Sequence, residues 1–575
     1  MAIFTFDRAH LLGSVSYVDT RRVTVHVGLD EDLRKARVGQ LVALSLPGAA
    51  EQWLVGLVDK VMKSLVVDEG SNGGESGEAE ELPRASALNT VRVTLVGTVA
   101  LAADNTPRFS RSLVQVPEID GRCHILADAQ LQAFMSMLSD ASNTEHSLEL
   151  GRYTIDETAR AYLDGDKLFQ RHASLLGSTG SGKSWTVAAI LEHATRLPSA
   201  NLIVFDLHGE YRSLSFARHL RIPGPEDLGK GDASLLYLPY WLLNAEELQA
   251  MFIDRSEFSA HNQVMAFQDS VVAEKKKTLS DLGKTEVLNA FTLDSPVPFR
   301  LSAVISELDR LNREMVPGAK GGEKQGPFYG DFSRLIVRLN SKVSDKRYGF
   351  LFEAPATEHP YDEMGVMVEC LMGFSKDGPK VKVIDFSEVP SDILPVIVGL
   401  VARVVYQVQF WTNRDQRHPL ALVCDEAHLY LPRREGLDPV EERALESLEK
   451  IAKEGRKYGV SLLIVSQRPS DVSSTILSQC NNIIALRLTN GDDQATVKHL
   501  MPETLEGLMD SLPILDIGEA LVVGDAVLLP TRIRIHPPSE KPLSATINFW
   551  TEWGKEATQP DFAGSVENMR RQHRT

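Results

Sequence analysis

Along the first hundred residues apolar and polar positions alternate in short runs: Leu11–Val18, Arg22–Val27, Leu41–Leu46, Trp53–Val58 and Val91–Val99. Strand side chains point alternately to opposite faces, so such runs bury one face and wet the other. Five closely spaced runs with no helical pattern between them predict a small β-barrel or sandwich over residues 1–105. Between the fourth and fifth runs, Asp68–Leu82 holds six acidic residues, four glycines and no Lys or Arg. That composition predicts a solvated, mobile hairpin loop.

The period changes after Gln115, and from Phe169 onward strands and helices alternate, which is the signature of a parallel sheet. Strands are predicted at His172–Leu176, Leu202–Phe205, Val381–Phe386, Leu420–Cys424, Ser461–Val465, Ile483–Leu488 and Ala520–Val523. From Leu243 to Asp377 the period is helical instead, at Leu248–Phe252, Val264–Glu274 and Leu301–Leu311, so this stretch reads as an inserted helical domain. Within it Gly318–Gly330 reads as an exposed, mobile Gly/Lys loop. The predicted organisation is a barrel at 1–105, an α/β core at 106–242 and 378–529, a helical insert at 243–377, and an extension at 530–575. The extension is too short to fold alone and is expected to lie on a neighbour.

A chain of 575 residues is too long for one core, and at about 100–200 residues per domain it suggests three or four units. Hydrophobic content of 43% with 24% charged residues describes an ordinary soluble globular protein. The longest apolar stretch, Leu394–Trp411, carries Arg403 near its middle and Pro395 at its start. It therefore reads as a buried helix capped by Ser391 or Asp392, and no membrane span is expected. Cys123, Cys370, Cys424 and Cys480 are far apart, without metal-ligand or pairing spacing, as in a reduced compartment. No signal peptide opens the sequence, and a cytoplasmic location is expected.

The net charge of −17 excludes a simple basic nucleic-acid module. A ring with a locally basic channel stays compatible with it, because screening limits charge interactions to about 10 Å at moderate salt. Lys275, Lys276 and Lys277, and the segment from Lys320 to Lys324, are the local basic candidates.

Chemistry concentrates in the α/β region. Gly177, Ser178, Thr179, Gly180, Ser181, Gly182, Lys183 and Ser184 fit the pattern G-x-x-x-x-G-K-[ST] between a predicted strand and a predicted helix. In such a loop backbone N–H groups converge on the β-phosphate, the lysine spans β and γ oxygens, and the final hydroxyl holds Mg²⁺. ATP and Mg²⁺ are the cofactors expected. Leu420–Cys424 delivers Asp425 and Glu426 to the end of a strand. There Asp425 would serve the magnesium shell and Glu426 would orient the attacking water. Gln467, after the strand Ser461–Val465, is placed to report γ-phosphate state, with a buried structural amide as the alternative. Arg171 and Arg456 are candidates for the cationic help that phosphoryl transfer needs. Arg171 precedes the phosphate-loop strand, which suits service to a neighbouring subunit.

These segments together resemble a family. Arg171-His172 before GSTGSGKS, Phe205-Asp206-Leu207-His208-Gly209-Glu210-Tyr211, Asp425-Glu426-Ala427-His428, Glu454-Gly455-Arg456-Lys457-Tyr458-Gly459 and Ser466-Gln467-Arg468-Pro469-Ser470 are similar to the HerA ATPases of the HerA/FtsK superfamily. The resemblance spans roughly Phe169–Val523 and implies a RecA-like P-loop ATPase core with an N-terminal small β-barrel and an inserted helical domain. It further implies a homo-hexameric ring that moves double-stranded DNA using ATP, usually beside a nuclease such as NurA. By resemblance Lys183 and Ser184 bind nucleotide and Mg²⁺, Glu426 is catalytic, Arg456 acts in cis and Arg171 is a trans finger. Asp206, His208 and Glu210 match a signature whose usual proline is Leu207 here, which leaves their role open. Two rival readings are an ATP-binding scaffold that switches a sirtuin-like or other antiviral effector, and the related motor of conjugative secretion. The missing membrane segment and the Glu-Gly-Arg-Lys motif count against the second.

Overall fold

The computed structural model describes residues 3–46, 52–67, 85–113, 115–317, 322–355, 359–437, 439–502, 505–544, 547–556 and 560–572. The alternating N-terminal runs become β1 (Leu11–Asp19), β2 (Arg22–His26), β3 (Leu41–Ser45), β4 (Gln52–Val67) and β5 (Ala85–Leu101), followed by β6 (Pro107–Ser110) and β7 (Arg122–Ile125). Antiparallel pairing runs β2-β1-β7-β3-β4-β5, and β5 returns to β2, so six strands close a barrel while β6 hangs on β5. Closure satisfies the edge strands that an open sheet would leave unpaired. Val15, Val23, Val25, Val42, Val91 and Val93 are fully buried inside it. The barrel takes β7 from beyond residue 105. The loop expected at Asp68–Leu82 lies outside the described residues; before and after it the β4–β5 ladder runs out to Val67 opposite Ala85.

Downstream come β8 (Ser147–Tyr153), β9 (Asp156–Asp164), β10 (Ala173–Leu176), β11 (Leu202–Asp206), β12 (Ala217–Arg221), β13 (Met315–Pro317) and β14 (Glu323–Gln325). The series continues with β15 (Val381–Asp385), β16 (Leu420–Cys424), β17 (Val460–Ser466), β18 (Asn482–Ala485), β19 (Glu519–Val523) and β20 (Thr531–Ile535). The chain divides into two compact units, the first holding residues 1–193, 467–470 and 480–539 and the second the remainder.

In the first unit the strand order is β10-β18-β19-β20-β8-β9. Only β10 and β18 run parallel; β18–β19, β19–β20, β20–β8 and β8–β9 are antiparallel. This corrects the expectation of a wholly parallel sheet. β8 and β9 are joined by a two-residue turn and β19 to β20 by a short loop, and a parallel return would need a crossover of a dozen or more residues. β20 also moves the start of the expected extension into the sheet.

The second unit carries β12-β15-β11-β16-β17, all parallel. β11, β15 and β16 are buried along their whole length, which explains why each reads as an almost unbroken apolar run. The helix Leu394–Trp411 is also mostly buried, and among the described residues it is the one helix long and apolar enough to cross a membrane. Its N-cap is Ile393 with Pro395 in the first turn, not Ser391 or Asp392. Asp392 is engaged elsewhere, accepting from Lys342 Nζ at 2.9 Å and from the Tyr348 hydroxyl at 2.6 Å.

The insert is helical as expected, with helices at Ala245–Phe252, Ala260–Asp281, Leu301–Asn312 and Ser333–Ser344 among others. The Gly318–Gly330 loop is corrected in part: β13 and β14 pair as a short hairpin there, while residues 318–321 lie outside the described set. Glu540–Leu543 runs beside the segment Glu210–Ser215, with Leu543 N donating to Glu210 O at 2.7 Å and Ser213 Oγ to Lys541 O at 2.7 Å. Beyond it the helices Phe549–Trp553 and Phe562–Arg571 leave Trp550, Trp553 and Met569 largely exposed.

Candidate active site

In the first unit β10 runs straight into the glycine-rich loop, and the helix Lys183–Ala194 begins within it. Gly180 and Gly182 adopt φ of 73° and 106°, conformations that side chains with a Cβ rarely take, so the loop can wrap with its N–H groups turned inward. Lys183 is 7% exposed, and its Nζ donates to the Ser178 carbonyl at 3.3 Å. Ser178 N donates to Arg487 O at 2.8 Å and Thr489 N to Ser178 Oγ at 3.2 Å, which fixes the loop to the segment following β18. Thr179 Oγ1 donates to Gln467 Oε1 at 2.5 Å. The structure therefore brings Gln467 onto the phosphate loop itself. At the other end of β10, His172 turns the chain at φ 50°, and Arg171 lies before it, paired with Asp525. A four-residue strand separates Arg171 from its own loop, about 13 Å of extended chain.

In the second unit β16 ends at Cys424, and Asp425 and Glu426 follow. Asp425 is 5% exposed. Its Oδ1 accepts from the backbone N–H of Glu426 at 2.9 Å and its Oδ2 from the Tyr211 hydroxyl at 2.9 Å. The Tyr430 hydroxyl donates to the Asp425 carbonyl at 2.9 Å. Burial first, then the neighbouring Glu426 and Glu210 charges, push the Asp425 carboxyl up to about 8. Glu426 sits in the left-handed region at φ 47°, ψ 41°, and its Oε2 lies 3.4 Å from His428 Nδ1. Non-glycine residues held there are uncommon and cluster at functional sites.

Asp206 has a clear structural role. It is 1% exposed, and its carboxylate accepts from the backbone N–H groups of His208, Gly209, Glu210 and Tyr211 at 3.2, 2.8, 3.0 and 3.0 Å. Burial, with the Asp385 charge adding to it, still outweighs these bonds and raises its pKa. His208 points to solvent. Tyr211 stands within a motif that assigns it no role, and no motif in the sequence includes Tyr430 or Asp525. A tyrosine five residues after a strand aspartate was the available signal for the first; Asp525 lies far from Arg171 in sequence and offered none.

Arg456 has a defined place in the second unit. It lies on the turn Gly455–Tyr458 leading into β17, which runs parallel to β16 with Leu420 opposite Val460 and Cys424 opposite Ile464. Arg456 thus stands at the opposite strand end from Asp425 and Glu426. Lys275 is removed from the basic candidates: it is 1% exposed and donates to the carbonyls of Leu293 and Ser295, each at 2.7 Å. Lys276, Lys277 and Lys324 are exposed, and Lys320 lies outside the described residues.

A glycine-rich phosphate loop opening a helix, followed by a second strand ending in buried Asp-Glu, defines a RecA-like P-loop ATPase with an N-terminal barrel and a helical insert. Residues 148–405 match the family described as Helicase HerA, central domain, and the DNA double-strand break repair helicase HerA of Pyrococcus furiosus is 26% identical over 520 residues, 84% of this chain and 83% of that protein. The chain is thus similar, over its central region and at modest identity, to the HerA family of helicase-type ATPases. A probable helicase of Methanocaldococcus jannaschii is 24% identical over 416 residues, 71% of each chain. Among solved structures, VirB4 of Thermoanaerobacter pseudethanolicus aligns over 68% of this chain and 97% of its own, at 19% identity and a TM-score of 0.45.

Proposed function

We propose that the protein is a homo-hexameric motor that hydrolyses ATP to translocate double-stranded DNA, in the cytoplasm, feeding or activating a separate nuclease or defence effector. The observation that carries the catalytic part is Glu426, held in the left-handed region directly after the buried Asp425 at the end of β16. The names of the curated relatives, DNA double-strand break repair helicases, support DNA as the substrate.

The loop Gly177–Ser184 binds the phosphates through its N–H groups, and Lys183 exchanges its contact with the Ser178 carbonyl for the β and γ oxygens. Glu426 orients and polarises the water that attacks the γ-phosphorus. Gln467, hydrogen-bonded to Thr179 of the loop, registers whether the γ-phosphate is present. Arg171, before rather than after its strand, serves a neighbouring subunit's nucleotide, and Arg456 acts in cis.

Magnesium fits this donor set. Asp425 is a buried carboxylate among other carboxylates, a crowding that a divalent cation relieves. Magnesium takes one or two protein oxygens and completes its shell with phosphate and water, and among the described residues no larger ligand cluster competes. Asp425 and Ser184 would hold it, and when bound it neutralises charge on the phosphate oxygens.

The test is duplex-dependent ATP hydrolysis together with duplex binding across a salt series. Affinity that falls steeply with salt and ATPase stimulated by DNA support a motor. Weak, flat binding with unstimulated hydrolysis supports the scaffold that switches an effector.

A further inference from the structure

The Asp425–Glu426 peptide is fixed at two points by two fully buried tyrosines that come from different parts of the chain. Tyr211 is delivered from the turn after β11, which exists because the Asp206 carboxylate gathers four consecutive backbone N–H groups, Tyr211's own among them. From there its hydroxyl reaches Asp425 Oδ2 at 2.9 Å. Tyr430 closes the turn from the other direction, and its hydroxyl donates to the Asp425 carbonyl at 2.9 Å. Both side chains are 0% exposed, so neither hydroxyl can exchange its partner for water, and a lost bond leaves an unsatisfied polar group.

The two bonds act on different atoms. One fixes which way the carboxylate faces. The other fixes the peptide plane preceding Glu426, whose left-handed conformation persists only if its surroundings determine it. Resting on the assignment of Asp425 and Glu426 made above, we infer that Tyr211 and Tyr430 are positioning residues with separable tasks: Tyr211 aims the Asp425 carboxylate at the magnesium, and Tyr430 holds the Glu426 backbone in register with the water.

The separation gives each variant its own signature. With full-length protein, affinity for a fluorescent ADP analogue is measured in saturating Mg²⁺ and in EDTA, and the ratio of the two reports magnesium coupling without any turnover. Tyr211→Phe should leave affinity in EDTA unchanged and reduce the ratio about ten-fold, the usual effect of losing a partner behind a metal ligand. Tyr430→Phe should leave the ratio unchanged and lower kcat between about 10- and 100-fold, as misplacement of a reacting group does. Asp425→Asn should bring the ratio towards unity. If Asp425→Asn lowers the ratio while Tyr211→Phe does not, the task given to Tyr211 is wrong. If Tyr430→Phe turns over at the native rate, the task given to Tyr430 is wrong, whatever the fate of the other variant. If Asp425→Asn itself leaves the ratio intact, the magnesium assignment fails, and the role of Tyr211 falls with it. Melting curves identify any variant that does not fold, and for such a position the same readout is taken on the His variant, Tyr211→His or Tyr430→His, which keeps a ring and a polar atom.

Discussion

Arg171 Nη1 stands 2.5 Å from Asp525 Oδ2, with the two side chains 49% and 37% exposed. An ion pair this open contributes about 0–1 kcal/mol, so Asp525 parks the guanidinium without trapping it. Arg171→Ala should therefore still bind ATP and assemble, yet hydrolyse on the order of 10³-fold more slowly, the scale of a lost arginine finger. Mixing tests the donor's direction. Glu426→Gln subunits keep the finger and lack the site, so co-assembly with Arg171→Ala subunits should recover activity above either parent. Confirmed mixed rings that stay inactive, where doping with wild-type subunits shows dead neighbours to be tolerated, would overturn the trans assignment.

Binding and hydrolysis should separate cleanly. Glu426→Gln should bind ATP with near-native affinity and retain it, while turnover falls at least about 100-fold, because the residue acts on water and not on the phosphates. Lys183→Ala should lose nucleotide affinity as well. Retained-nucleotide analysis after gel filtration distinguishes the two, and hydrolysis by Glu426→Gln at the native rate would remove the water-positioning role.

The lysine run at Lys275–Lys277 should divide by burial. Lys276→Ala with Lys277→Ala should flatten the salt dependence of duplex binding if these exposed amines meet phosphate, each contact contributing about 0.9 to the log–log slope. Lys275→Ala should instead destabilise the insert, since two carbonyls lose their donor. Filter binding and thermal melts read the two effects independently.

Buried amines make stability depend on pH in a defined window. Burial pushes Lys275 and Lys382 each down to about 8 from the usual 10.5. Between those values the folded chain binds fewer protons than the unfolded one, so stability rises with pH there; below pH 8 both states carry the charge and the penalty is fully present. The buried Cys123 and Cys424 thiols, pushed upward, work the other way above their usual value of 9.0. From pH 8 to 9 the thiols do not yet titrate, while the Asp425 carboxyl, pushed up to about 8, still works against the lysines; the comparison isolates Lys382, and urea midpoints should climb more in the native protein than in Lys382→Met. Equal slopes for the two proteins would contradict the assignment.

Much of this arrangement was legible because it obeys local rules. The phosphate loop needs glycine at two left-handed positions and a hydroxyl after its lysine, and the strand Leu420–Cys424 is apolar from end to end because both faces are covered. The barrel was legible from alternation. What stayed hidden depends on chain reversal and distance. β8, β9 and β20 return by tight turns and carry small or charged residues, such as Ala159, Ala161, Arg532 and Arg534, that blur the period. Asp392 lay well placed to cap a helix, but Lys342 and Tyr348, far away in sequence, claim it. Arg456 carried the right chemistry, yet only the β16–β17 register shows which strand end it occupies.

The left-handed backbone at Glu426 sets stability against activity at a single position. Glycine adopts that conformation without strain, so Glu426→Gly should relieve about 1 kcal/mol of it and yet abolish turnover. A selection that scores only heat resistance would favour such a change and deliver a sturdier chain with a dead engine. Screens for a thermostable form of this ATPase therefore have to score hydrolysis alongside melting temperature, or exclude this codon from the library.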